Sequence, residues 1–134
     1  MTRYLLDTNI LSHLIRNPQG PVAAKIAQVG EDSVCTSLVV AAELRYGCAK
    51  RGSVRLTSQV EAVLSVLDVL SLETLLDLFY GDIRTRLETA GQPIGANDLL
   101  IASLALSLGY TVVTDNEREF RRVNGLKVEN WLAG

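Results

Sequence analysis

Short apolar runs alternate with segments of helical periodicity along this chain, and that alternation restricts the fold more than any other feature. RYLLD, SVCT, DVLSL, TVVT and LKVEN read as strands. Between them, apolar side chains recur at helical spacing. Ile10, Leu11, Leu14 and Ile15 form one such set; Val22, Ile26 and Val29 form a second. Leu56, Val60, Val63 and Leu67 form a third, and Leu76, Phe79, Tyr80, Ile83 and Leu87 a fourth. Strands separated by helices pair most readily in parallel, because parallel neighbours need a long crossover. Parallel sheets are buried on both faces. The expected fold is therefore α/β: a three-layer α/β/α sandwich with a mainly parallel central sheet and right-handed crossovers. In such sheets ligands bind beyond the carboxyl ends of the strands.

Turn and cap residues agree with this division. Pro18 ends the first helix, and Pro21 suits the first turn of the next. Ser37 is placed to cap a helix over LVVAAELRYGCAK. Gly91 suits the end of the helix that follows the leucine-rich LETLLDLFYG. A loop is expected over 92–97, then a nearly all-apolar helix over 98–108, stopped by Gly109. Asn116 and Glu119 have capping-box spacing.

With 134 residues, the whole chain (1–134) is expected to form one domain with a core that needs neither disulfides nor structural metal. It is 48% hydrophobic and 21% charged, too apolar for disorder. A net charge of −2 argues against a strongly basic nucleic-acid binder, though not against a local basic patch. One histidine, His13, and two cysteines, Cys35 and Cys48, exclude a zinc site with four Cys/His ligands. His13 lies in the apolar-flanked SHLI, where packing is a better expectation than catalysis. Asp7 interrupts any signal-like apolar start, and the longest apolar run is too short to span a bilayer. A cytoplasmic protein without membrane contact is expected.

Most acidic residues lie in polar surroundings; four do not. Asp7 directly follows the first strand, and Asp115 directly follows TVVT, so both belong at the ligand-binding rim. Asp98 opens the most apolar helix, where free N–H groups and the helix dipole favour negative charge. Glu43 has Val39, Ala42 and Tyr46 on its helical face, which puts its carboxylate on an apolar stripe. Taken singly, each has a structural explanation as a cap, a first-turn charge or a paired acid. Together, converging carboxylates with few nearby cations repel one another unless a divalent metal sits among them. Mg2+ or Mn2+ suits such all-oxygen ligation. A cluster of this kind can activate water against a phosphodiester without a histidine. Arginine outnumbers lysine by 10 to 3, which favours bidentate phosphate contacts. Arg45, Lys50, Arg51 and Arg55 follow Glu43, while Arg118, Arg121 and Arg122 follow Asp115. A solvated charged surface is the alternative for either group.

These residues resemble the PIN-domain nucleases, and within them the VapC-type toxins of toxin–antitoxin pairs. LLDTNILSHL resembles the family's opening strand and first acid, SLVVAAELRYG its second motif, and PIGANDLLIASLAL its third. TVVTDNEREFRRVNGLKVENW resembles the closing segment. The similarity runs from about residue 3 to 132. It implies a Mg2+- or Mn2+-dependent endoribonuclease cleaving structured RNA, with Asp7, Glu43, Asp98 and Asp115 as catalytic acids and metal ligands. Thr8, Asn9 and Asn116 would support them, and Arg45, Lys50, Arg51, Arg118, Arg121 and Arg122 would be the RNA contacts. It further implies a homodimer and a small VapB-like antitoxin covering the acidic pocket. Leu104 departs from the family, standing where many relatives carry a polar residue, and LETLLDLFYG is unusually leucine-rich. Both departures bear on substrate contacts near that helix and on an apolar dimer or antitoxin surface.

Three other classes compete. A receiver-type phosphoacceptor domain also gathers acids and Mg2+ at strand ends. It needs a late lysine and an early acid pair, whereas Lys25, Lys50 and Lys127 are not so placed and Asp7 has no acidic neighbour. A non-catalytic PIN fold acting as an interaction module should have lost acids. The closest alternative is a PIN-type nuclease with a housekeeping RNA-processing or DNA role and no antitoxin.

Overall fold

The computed structural model describes residues 2–72 and 75–133. Its elements are β1 (Tyr4–Leu6), α1 (Thr8–Arg16), α2 (Pro21–Val29), a 3-10 turn (Glu31–Ser33), β2 (Val34–Ser37), α3 (Leu38–Arg51) and α4 (Val54–Val66). They continue with β3 (Asp68–Leu70), α5 (Leu76–Thr89), α6 (Ala96–Leu108), β4 (Thr111–Val113), α7 (Glu117–Phe120) and β5 (Lys127–Glu129). The leucine-rich stretch is described except for Glu73 and Thr74, which lie outside the described residues.

All strands pair in parallel, in the order β3-β2-β1-β4-β5. The chain winds from β1 outward to β2 and β3, then crosses back to β4 and β5. Right-handed connections put α1–α4 over one face and α5–α7 over the other. In keeping with this, α1 and α4 pack on α3, and α5 packs on α6. The sandwich is thus α/β/α, with a wholly parallel sheet.

The central strands carry the apolar load. Leu5, Leu6, Val112 and Val113 are fully buried, and each such side chain contributes about 1.5–3 kcal/mol on leaving water. The edge strands carry Asp68, Lys127 and Glu129 instead, charges that discourage pairing with another chain. Cys35 and Cys48 are buried and unbonded, behaving as small hydrophobes. Among the described residues no helix is long and apolar enough to cross a membrane.

The winding direction reverses between β1 and β4, which opens a crevice at their carboxyl ends. The local sequence leaves almost no slack there. α1 starts directly after β1, capped by Asp7, whose Oδ1 accepts from the Thr8 backbone N–H at 2.8 Å. Asp7 N donates to Val113 O at 2.9 Å, so the ladder extends one residue past the strand. Ser37 Oγ caps α3, accepting from Val40 N at 3.2 Å. α6 opens at Ala96, earlier than expected, because Leu99 N already bonds Gly95 O at 2.9 Å. Asp98 is therefore its third residue. Gly109, at φ 73°, ends α6 in the left-handed conformation that turns the chain into β4.

Candidate active site

Asp7 stands at the end of β1, only 3% exposed. Its Oδ2 accepts from Thr114 Oγ1 at 2.8 Å and, more weakly, from Asn9 Nδ2 at 3.4 Å. Burial raises its pKa above the ordinary carboxylate value; the hydrogen bonds oppose this, and the charge of Glu43 adds to it. Thr114 is itself fully buried, and its hydroxyl accepts from Asn116 N at 2.9 Å. One hydroxyl therefore links the end of β4 to the acid at the end of β1.

Glu43 reaches the same crevice from α3, and Thr8 Oγ1 donates to its Oε1 at 2.7 Å. The apolar stripe expected around it is only partly present. Val39 is buried, but Ala42 is exposed and Tyr46 is 66% exposed. The buried side of α3 runs through Val40, Leu44 and Cys48, because α1 and α4 both pack on that side. Glu43 lies on the seam between core and solvent, half-buried.

Asp98 faces the crevice from the first turn of α6. Its Oδ2 accepts from Asn116 Nδ2 at 3.0 Å, and the same amide donates to the Glu119 carboxylate. Burial above all pushes the Asp98 pKa up to about 7. The charge of Asp7, hydrogen bonding to Glu119, and the charges of Glu119 and Glu43 raise it further.

Asp7, Glu43 and Asp98 are thus brought within electrostatic reach of one another. Asp115 shares the rim but points differently. It is exposed, its backbone N–H donates to Asn9 Oδ1 at 2.9 Å, and its Oδ1 accepts from Asn130 Nδ2 at 3.0 Å. Glu119 faces Asp98 instead. It is not among the four acids that the sequence singles out. The available signal was its spacing of three from Asn116, immediately before the fully buried Phe120. That spacing reads as a capping box, but α7 has no side-chain cap: Asn116 N donates to Thr114 Oγ1, and the Glu119 carboxylate accepts from the Asn116 side-chain amide instead. Thr8, Asn9 and Asn116 all hold acids by neutral hydrogen bonds.

The basic residues divide. Arg45 forms a two-pronged pair with Glu61, at 2.9 and 2.8 Å. Arg121 pairs with Glu117 at 2.9 Å, and Arg122 donates to Pro93 O at 2.9 Å. Lys50, Arg51 and Arg118 are exposed and make no ion pair among the described residues. Leu104 is 1% exposed, a core residue that adds nothing to any surface. His13 lies in α1 with its Nδ1 buried and without a hydrogen-bond partner among the described residues.

A hard divalent cation fits this site by charge and donor chemistry. Every charged donor is a carboxylate, and the repulsion that adds to burial in raising Asp98 is what such an ion would relieve. Among the described residues no group of three or more Asp, Glu, His or Cys side chains is gathered closely enough to hold a metal ion as they stand. Thr8 and Asn116 hold Glu43 and Asp98 by separate hydrogen bonds.

The chain is thus a parallel α/β/α sandwich with acids gathered at its topological switch point. Residues 4–126 match the PIN domain family. Ribonuclease VapC2 of Rickettsia felis is 37% identical over 130 residues, covering 96% of this chain and 97% of that protein. The tRNA(fMet)-specific endonuclease VapC of Shigella flexneri is 36% identical over 132 residues, covering 98% and 99%. The crystal structure of VapBC2 from Rickettsia felis bound to a DNA fragment from their promoter superposes with a TM-score of 0.89 at 35% identity, covering 97% of this chain and 99% of that one. The chain belongs to the PIN-domain family, in its VapC branch.

Proposed function

We propose that this chain, as a single nuclease domain, is an endoribonuclease that hydrolyses phosphodiester bonds in structured RNA. It acts as the toxin of a toxin–antitoxin pair, with Mg2+ or Mn2+ as cofactor. The observation that carries this is the meeting of Asp7, Glu43 and Asp98 at the β1/β4 switch point, held by neutral donors and without an ion pair among the described residues. Whole-length similarity to VapC ribonucleases supports the choice of RNA. The name of the Shigella relative makes tRNA the first substrate to try. Solved relatives are VapBC complexes, which supports a VapB-like antitoxin as partner. A homodimer in the cytoplasm completes the proposal.

Asp7, Glu43 and Asp98 would hold the ion, with Glu119 or Asp115 completing the acidic set. When bound, the ion lowers the pKa of a water for in-line attack and offsets charge on the phosphodiester. The chain supplies position. Three donors fix the Asp7 carboxylate, Thr8 orients Glu43, and Asn116 orients Asp98 and Glu119 together. Neutral donors achieve this without cancelling the negative charge that attracts the cation.

The test is cleavage of bulk tRNA by antitoxin-free protein, with the new RNA ends mapped by sequencing. Cleavage should require Mg2+ or Mn2+ and stop in EDTA. Undiminished cutting in excess EDTA would refute the metal-dependent mechanism. Cutting of DNA but not RNA would favour the housekeeping alternative.

A further inference from the structure

A second concavity opens directly beside the acids. It lies between α1, α3 and α4, encloses about 250 Å3, and has Thr8 and Glu43 in its wall. Ile15, Leu44 and Val60 supply buried apolar surface inside it. Two guanidinium groups, Arg16 from α1 and Arg51 from α3, complete the lining. Both arginines are exposed and make no ion pair among the described residues, whereas Arg45 on the same helix as Arg51 is neutralised by Glu61. Each occupies the last turn of its helix, where the dipole favours a cation. The dipole does not require that two helices aim their terminal arginines into one cavity. Arg51 also borders a shallower cavity with Arg55, so the positive track continues away from the acids.

We infer that this groove is the subsite for one unpaired nucleotide flanking the scissile bond, with Arg16 and Arg51 holding its backbone phosphate. Bidentate guanidinium–phosphate contacts suit planar donors at the rim. The apolar floor suits a base turned out of its stack, which is how single-stranded loops present themselves to proteins. The volume admits a nucleoside and excludes a paired helix. Charge favours an RNA strand over an apolar peptide here, because the groove has an unpaired positive rim next to a negative site. The strand's phosphate is drawn to the arginines, while the scissile phosphate can approach the carboxylates only with a cation present. The subsite presupposes the ribonuclease function proposed above and adds Arg16 to the residues that serve it.

The test measures binding of bulk tRNA by the purified chain in Ca2+, then its cleavage in Mg2+, for the wild type and for Arg16→Gln, Arg51→Gln and the double variant. Arg86→Gln, which breaks an ion pair on α5, serves as control. Each single variant should bind about tenfold more weakly. The double variant should lower the slope of log affinity against log salt by about 0.7, the value for one phosphate contact on a single strand. KM should rise while kcat stays near wild type. Unchanged affinity and slope in the double variant overturn the subsite, as does a wild-type chain that binds no RNA. If the variants keep full RNA affinity and lose only antitoxin affinity, the groove is a protein-docking surface and the inference fails. Arginine-dependent binding without any cleavage would keep Arg16 and Arg51 as RNA contacts while sinking the nuclease function on which the subsite rests.

Discussion

Asp98 shows most directly how one side chain's chemistry follows from its surroundings. It sits where a helix N-terminus favours a negative charge, yet burial and three acidic neighbours hold its pKa near 7. Asp98→Asn should leave a folded protein and reduce RNA cleavage by at least about a hundredfold, since ligands of one ion act as a unit. Near-wild-type rates would make Asp98 a first-turn charge and nothing more. Glu43→Gln separates two roles in the same way. The amide can still accept from Thr8, so the ion-free melting temperature should hold or rise, while the shift produced by Mg2+ should shrink. A lower melting temperature with an unchanged Mg2+ shift would assign Glu43 to the fold alone. Thr114 behaves oppositely. Thr114→Val leaves Asp7 Oδ2 without its best donor and Asn116 N without an acceptor, inside a fully buried site. A loss of about 1–3 kcal/mol in urea denaturation is expected.

Among the elements, α3 carries an acid, a wall of the groove and part of the core, and its start is set by one hydroxyl. Ser37→Ala should cost about 1 kcal/mol of stability, read as a shift of the denaturation midpoint at constant slope. The start of α3 was legible because a polar cap precedes an apolar run; its end is set by Gly52 at φ 64°. Its orientation was not. Sequence spacing put Glu43 among Val39, Ala42 and Tyr46, but α1 and α4 cover the neighbouring side, and Tyr46 faces water. Helical periodicity reports that a face is apolar; which face is covered depends on partners distant in sequence. Arg45 illustrates the same gap, since its ion pair with Glu61 exists only once α3 and α4 pack together. Asp7 was legible for the converse reason. An acid directly after a buried strand has no other place to go than the rim of the sheet. Glu119 was not legible, because the spacing that lets Asn116 reach it is also the spacing of a cap.

For the molecule as a whole, the acidic pocket makes stability depend on pH in an unusual direction. In the ion-free protein Asp98 keeps its proton up to about pH 7, while the unfolded chain releases it near 3.8. Between those values the folded state binds more protons than the unfolded one. The stability that Asp98 contributes is therefore complete in acid and is lost as pH rises through 7. Melts in EDTA should show the temperature falling from pH 5 to pH 8, with Asp98→Asn flattening the decline and Mg2+ restoring stability at the alkaline end. A flat wild-type profile in EDTA would mean that neither burial nor the neighbouring acids raise Asp98. Sheet order has a further effect, on timing during synthesis. Asp7 is fixed by the hydroxyl of Thr114, which is made 107 positions later. At a ribosomal pace of roughly 5–20 residues per second, about 5–20 s separate the two. The nascent chain spends that interval with β1 lacking its β4 neighbour and with Asp98 and Asn116 still to come, so it has no assembled pocket to turn on the RNA around it.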